Sequence, residues 1–266
     1  MALFKRSSSE PIGKFQPLHK FTERDFEQMY SIYQKYYENT RYDIFVRDFL
    51  KKTGAFLILH PKTKHIVGFS TVMNCDIKVG NKVHHAFFSG DTVIEKEFWG
   101  SRALQRSMYR YLLTMKAKHP FDPVYWMLIS KGFKTYLLLA NNYYSYWPHP
   151  DGESQHLKPL VEAYCQQYFG EYYDQATGVL DFGDDYQPLK GDVAPITDDM
   201  LNRNAKIRFF QQSNPDWAKG TELPCIGEIV WTDIFKYVQK FATKTISQGR
   251  LDALVHAQTS QHAKNA

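Results

Sequence analysis

Apolar positions along the chain change their spacing several times, and each change marks an element. After Thr22, apolar residues recur at Phe26, Met29, Tyr30, Tyr33 and Tyr37, the spacing of one helix face. Thr22 followed three residues later by Asp25 is the pattern of a reciprocal N-terminal cap. A short strand over residues 15–21 is expected before this helix, and a second short helix over about 44–52 after it. The period then falls to that of strands. Residues 55–59 are apolar throughout, residues 66–73 are β-branched and aromatic, and the link between them carries Pro61, so an antiparallel hairpin is expected. Ile77 and Val79 extend the second strand, Gly80 and Asn81 mark a turn, and a third strand covers residues 83–94.

Further along, Ser101 reads as the cap of a helix reaching about Met115, with Leu104, Met108, Tyr111, Leu112 and Met115 on one face. Arg102, Arg106, Arg110, Lys116 and Lys118 lie elsewhere on it and leave it strongly basic. Pro120 and Pro123 end that segment. A buried strand over 124–129 and a helix over 133–143 follow, the latter stopping before Pro148 and Pro150. Helices are expected over 156–169 and 198–212, and strands over 178–182 and 223–231. A last amphipathic helix begins at Thr232 and carries Ile234, Phe235, Val238 and Phe241. The expected organisation is a flexible lead-in (1–13), one domain (14–245) with an extension at about 152–222 lying over or beside its site, and a polar tail (246–266).

Composition narrows the class. With 266 residues, 43% of them hydrophobic, the chain can build a core without a disulfide or metal staple. Its 18 Tyr, 19 Phe and 5 Trp exclude disorder of the whole. The longest apolar region, around 125–147, is broken by Lys131, Lys134, Asn141 and Asn142, so no membrane span is expected. The first residues lack the apolar stretch of a secretory signal. Cys75, Cys165 and Cys225 are odd in number and far apart, which predicts reduced thiols in a cytoplasmic protein rather than a disulfide framework or a zinc site. A net charge of +5 favours anionic partners but lacks the dense basic stripe of a nucleic-acid binder. Phosphate-bearing cofactors and acidic carrier proteins suit it equally, and no nucleic-acid partner is expected.

Several motifs fall away. His84 and His85 are adjacent on a strand and point to opposite faces, so they do not share a metal. Asp181-Phe-Gly183 imitates a kinase signature without its other elements. Asp181, Asp184, Asp185 and Asp192 read as a solvated acidic loop rather than a cation site. Neither a Gly-x-Ser-x-Gly elbow nor a phosphate-binding loop is present.

The informative block is residues 55–147: hairpin, strand, glycine-bearing turn, basic helix, buried strand, helix. Its hairpin 55–73, the stretch from Asp91 through Trp99-Gly100-Ser101-Arg102-Ala103 to Gln105, and residues 124–136 carry a resemblance. The block resembles the acyl-CoA-binding core of the GNAT superfamily of N-acyltransferases. The resemblance implies an α/β fold, a mixed, mostly antiparallel twisted sheet flanked by helices, which the strand at 223–231 would complete. It also implies transfer of an acyl group from a thioester to a small-molecule amine, with backbone N–H groups polarising the thioester carbonyl and no metal needed. In that family the donor's pyrophosphate lies on the positive end of the helix after the turn. Here that cradle falls on Gly100, Ser101, Arg102 and Ala103, with Lys96 and Arg102 adding charge.

The family's turn runs Arg-Gly-x-Gly-x-Gly/Ala. Gly100 matches it, whereas Trp99, Arg102 and Leu104 depart from it. Two donors are therefore kept: acyl-CoA, and acyl-pantetheine on an acyl carrier protein. The latter is the donor in some long-chain N-acyl amino acid synthases, which the chain broadly resembles. Ser89-Gly90-Asp91 interrupts an apolar strand, and glycine there marks a bulge or a close backbone approach. In the resembled family the strand splays at this place, and Val93 and Ile94 would offer backbone groups to pantetheine. Asp91 is the candidate to deprotonate the amine, directly or through water. Tyr136 is the candidate to protonate the leaving thiolate. The aromatic surroundings of Tyr143, Tyr144, Tyr146 and Trp147 suit an apolar tunnel for an acyl chain. A rival reading is a non-catalytic module of the same shape that binds acyl-thioesters or a protein partner. A V-shaped parting of strands 83–94 and 124–129 is what the donor site requires.

Overall fold

Thr22 and Asp25 form the expected cap. Thr22 Oγ1 accepts from the Asp25 amide at 3.3 Å and Asp25 Oδ2 accepts from the Thr22 amide at 3.0 Å, starting helix α1, Glu23–Tyr36. The structure is a computed structural model that describes residues 10–183 and 195–236. The chain divides into two compact units, Met1–Glu228 and Ile229–Ala266, and every site residue discussed below belongs to the first.

The frame of the first unit is a sheet of seven strands in the order β1-β2-β3-β4-β5-β9-β6. The strands are β1 Ile12–Pro17, β2 Gly54–Leu59, β3 Ile66–Val79, β4 Lys82–Ile94, β5 Val124–Ser130, β6 Ser145–Trp147 and β9 Leu223–Ile229. β1 to β4 pair antiparallel in succession, β6 pairs antiparallel with β9, and β4 pairs parallel with β5. The fold is thus α/β with a mixed, mostly antiparallel sheet flanked by helices, as expected. Two short strands, β7 Tyr173–Asp174 and β8 Val179–Leu180, make a separate ladder.

Strand alternation divides the helices between two faces. Ala55, Leu57, Phe69 and Val93 bury against Met29, Ile32 and Tyr33 of α1 and Phe45 and Phe49 of α2, Tyr42–Phe49. Cys75, Ile77, Ala86, Phe88 and Met127 bury on the same side against α5, Lys158–Phe169. On the opposite side Phe56 and Phe87 meet Tyr111 of α3, Ala103–Lys118, at ring-centroid distances of 5.5 and 5.6 Å. Helix α4, Phe133–Ala140, follows β5, and α6 and α7, Asp198–Arg203 and Ala205–Ser213, follow later.

Gly13 sets how α3 lies on the sheet. A Cβ there would fall 2.2 Å from Ala103 O and 2.3 Å from Ser107 Oγ, so only glycine lets β1 run this close to the first turns of α3.

Several elements differ from expectation. β1 starts at Ile12, inside the expected lead-in, because the chain pairs from Ile12↔Leu59 to Pro17↔Gly54 before turning. The helix expected over 133–143 ends at Ala140, and Ser145–Trp147 serve as β6 against β9. The helix expected over 198–212 is two helices, broken at Asn204, whose Oδ1 accepts from the Lys206 and Ile207 amides at 3.0 and 3.4 Å. Ser101 caps nothing: Arg102 holds the N-cap position of α3 and no side chain caps it. Lys116 is not on a solvated face. It is buried, and its ammonium donates to the His119, Pro120 and Asp122 carbonyls beyond the helix end. Val238, Phe241, Asp184, Asp185 and Asp192 lie outside the described residues.

All three cysteines are buried and free. Among the described residues no helix is long and apolar enough to cross a membrane, and no three His, Cys, Asp or Glu side chains gather as a metal site.

Candidate functional site

The site begins with a fault in the sheet. Thr71 pairs with Gly90 but Phe69 pairs with Val93, so β4 carries one residue more than β3 between these pairs. Asp91 sits in this bulge with φ of 44°, a left-handed conformation that Asp tolerates better than most residues. The extra residue reverses the alternation: Ala86 and Phe88 face α5, and after the bulge Val93 takes up the same face.

The bulge coincides with the end of a ladder. β4 and β5 pair from His85↔Val124 to Ser89↔Leu128 and then part. Trp126 Nε1 donates to Ser89 Oγ at 2.8 Å and pins the last pair. The Glu95 amide still donates to Val67 O of β3 at 2.9 Å. By the alternation of an antiparallel ladder, Ile94 therefore turns its amide and carbonyl to the other side, where β5 has left. Trp99 Nε1 donates to that Ile94 carbonyl at 2.7 Å. Val93 spends its own backbone groups on β3. The ladder between these two strands thus ends where the bulge begins.

The head of α3 lies beside this edge. Gly100 has φ of 81° and nothing within 4 Å of a Cβ built on it, so the turn requires glycine for its backbone rather than for space. The Ser101 amide donates to Phe98 O at 3.2 Å and is spent inside the turn. The first intrahelical bond is Arg106 N–H to Arg102 O at 2.9 Å, which leaves the amides of Ala103, Leu104 and Gln105 ahead of it without helical acceptors. Lys96, Gly100 and Arg102 are exposed. Between α3 and α4 a shallow cleft is lined by Gln105, Met108, Leu112, Leu138 and Tyr143 over Trp126. Among the described residues, Gln105 Oε1 and Ser101 Oγ, buried at this end of α3, have no hydrogen-bond partner. Buried polar atoms are normally paired, so both oxygens call for a partner.

A buried charged cluster closes the other side of the parting. Asp91 Oδ2 accepts from Thr71 Oγ1 at 3.0 Å. Glu222, 4% exposed, precedes β9 and sets its Oε1 3.2 Å from Lys131 Nζ, just past the end of β5. Lys131 Nζ also lies 5.3 Å from the Tyr37 ring centroid, and Tyr37 stacks on Tyr33 at 4.4 Å. Burial pushes the Glu222 carboxyl up to about 7; the Lys131 ammonium works against that and the Asp91 charge adds to it. Burial, and then the charge of Asp91, raises the Tyr33 hydroxyl far above its ordinary value. Glu222 is fixed in place by a two-way backbone bond with Leu180 of β8, at 2.8 and 2.9 Å.

Tyr136 stands apart from this cluster. It is fully buried, and its hydroxyl donates to Pro148 O at 3.1 Å. Its ring packs against Phe209 and Phe210 of α7 at 6.0 and 5.9 Å. Burial raises its hydroxyl well above the ordinary range. Of the aromatic group expected to line a tunnel, Tyr143 lines the cleft and lies 5.2 Å from Trp126, whereas Tyr146 packs on His149 at 4.5 Å.

No family model and no curated protein matches the chain. Solved structures give loose likenesses over about half of it. One is a conserved protein of unknown function from Enterococcus faecalis V583, described as a probable N-acyltransferase: 13% identity, TM-score 0.36, 48% of this chain and 32% of that one. The chain thus spans about a third of the Enterococcus protein's length. Another is the GNAT family N-acetyltransferase YhbS of Escherichia coli in complex with CoA: 7% identity, TM-score 0.35, 48% of this chain and 67% of that one. A third is a GNAT family acetyltransferase of Staphylococcus aureus Mu50: 11% identity, TM-score 0.35, 50% of this chain and 82% of that one.

Proposed function

We propose that the chain is an N-acyltransferase that moves an acyl group from a coenzyme A thioester to a small-molecule amine. The observation that carries this reading is the parting of β4 from β5 beyond Ser89, directly beside the uncapped head of α3. An open strand edge binds an extended, amide-bearing arm as if it were another strand. Pantetheine is such an arm, and Ile94 meets it through its backbone while Val93 packs beneath. The arm's amide N–H takes over the Ile94 carbonyl from the Trp99 indole, and the second orphan acceptor, Gln105 Oε1, lines its path. The pyrophosphate lies on the positive end of α3, at the Gly100 and Arg102–Ala103 amides, with Lys96 and Arg102 supplying charge.

The amine attacks the thioester carbonyl from the side of the cluster, where Asp91 and Glu222 are the carboxylates at hand. Tyr136 reaches a leaving thiolate only by giving up its bond to Pro148, so we assign it to the core. A carrier-protein donor uses the same open edge without needing the phosphate end of α3. Comparing acetyl-CoA with an acetylated carrier protein separates the two.

The test is calorimetric titration with coenzyme A, followed by free-thiol release from acetyl-CoA in the presence of spermidine, glycine and a lysine peptide. Arg102→Ala should cost roughly 1–3 kcal/mol of donor affinity if its contact with phosphate is charged and partly buried. Gly100→Val strains a left-handed backbone, so it should cost stability as well as donor affinity, the latter read on protein shown to be folded. Absence of donor binding refutes the proposal. Tight donor binding with no thiol release favours the non-catalytic module, a reading to which Trp99 on the Ile94 carbonyl gives specific support.

A further inference from the structure

Two carboxylates stand at the parting, and they are not equivalent. Asp91 is half-buried in the bulge and takes a hydroxyl bond from Thr71. Glu222 is buried and contributed by a different part of the chain, anchored through its backbone to Leu180. The groups acting on it are Lys131 from the end of β5, Asp91 from β4 and Tyr33 from α1, while Tyr37 lies against the Lys131 ammonium. With two acids and one ammonium, the cluster carries a surplus of negative charge when both acids are ionised. A neutral amine that attacks a thioester must lose a proton, and the receiving group works best when its own affinity for protons matches the working pH.

We propose that Glu222 is the general base of the acyl transfer, with Lys131 as the positioning residue that sets the pH at which it works. The proposal rests on the reading of the chain as an acyltransferase. In the step, the amine nitrogen forms a bond to the thioester carbonyl carbon and the C–S bond breaks. The sulfur leaves with that electron pair. The nitrogen's proton passes to the Glu222 carboxylate, directly or through a water, and from there to the thiolate or to solvent, which restores the carboxylate. Asp91 holds the approaching amine and raises the proton affinity of Glu222 by its charge. The pairing with Lys131 pulls the other way and keeps the carboxylate populated at neutral pH. Burial raises the Glu222 carboxyl to about 7, so it can both take and release a proton near neutral pH.

The experiment reads thiol release from acetyl-CoA as a function of pH, with spermidine and with water alone as acceptors, alongside coenzyme A affinity by calorimetry. The wild type should show a rising limb with a midpoint near 7. Glu222→Gln should lower release by roughly a hundredfold or more and abolish the limb, with donor affinity unchanged. Lys131→Met should move the midpoint to higher pH, because it removes the charge that favours the ionised form. Asp91→Asn, which tolerates the left-handed backbone, should move it to lower pH. The double variant Lys131→Met/Glu222→Gln, which strands no buried charge, guards against loss of fold. An ion pair that merely anchors β9 would move stability and leave the midpoint alone. If Glu222→Gln keeps the limb while Asp91→Asn abolishes it, the proposal is overturned in favour of Asp91. Donor binding with no release by the wild type overturns it as well. Absence of donor binding overturns both this proposal and the acyltransferase reading beneath it, and calorimetry tells these outcomes apart.

Discussion

Glu222→Gln removes a carboxyl that the fold makes reluctant to ionise, and the consequence is a pH-dependent difference in stability. The group changes from its ordinary value of 4.5 to about 7 on folding, chiefly through burial. Its folded value is raised, so the stability it allows is full below about 4.5 and is lost as pH rises through about 7. At about 1.4 kcal/mol per tenfold change in proton affinity, the whole gap is worth about 3 kcal/mol. Most of this, about 2–3 kcal/mol, falls between pH ~5 and ~8. Glutamine does not titrate, so the variant lacks this pH-dependent contribution. The wild type's advantage over Glu222→Gln should therefore shrink by about 2–3 kcal/mol from pH ~5 to ~8. Urea unfolding followed by tryptophan fluorescence at several pH values measures this, because titrations elsewhere cancel in the difference. Parallel stability curves would refute the burial argument. A wild type that gains on the variant as pH rises would show that Lys131 outweighs desolvation.

Gly13→Ala should destabilise by about 1–3 kcal/mol, because the new carbon meets a backbone carbonyl of α3 that cannot give way. A scanning calorimeter should see the melting temperature drop by several degrees, and an unchanged melting point would contradict the packing. Tyr136→Phe should cost about 1 kcal/mol for the lost bond to Pro148 while leaving the pH profile of thiol release unmoved. Loss of one limb of that profile would return Tyr136 to the chemistry. Trp99→Phe frees the Ile94 carbonyl and should tighten coenzyme A binding severalfold by calorimetry. Weaker binding would make the indole part of the site rather than a competitor for it.

Local chemistry made much of the frame legible. The Thr22–Asp25 cap, the 55–73 hairpin and the glycine that marks the bulge of β4 each involve residues close in sequence, and each forms as expected. The parting of β4 and β5 was legible through the resemblance, because the bulge and the following turn lie on one stretch of chain. What was not legible depends on distant partners. Lys131 reads as a charge interrupting an apolar run, and Glu222 as a polar residue ahead of a strand; only the fold brings them to 3.2 Å. Lys116 sits among basic residues at helical spacing, yet its carbonyl partners lie past the helix end. Asn204 breaks a helix that periodicity joins, because its side chain serves the next two amides better than a helical turn would. Ser101 has the chemistry of a cap but its hydroxyl is buried away from the amides it was expected to serve.

The placement of the donor is tested most directly by amide hydrogen exchange with and without coenzyme A. A donor on the open edge of β4 and the head of α3 should slow exchange at the amides of Ile94, Ala103, Leu104 and Gln105, and leave Val93 unchanged because its amide already serves β3. Protection confined to other elements, or none at saturating coenzyme A, would contradict the site.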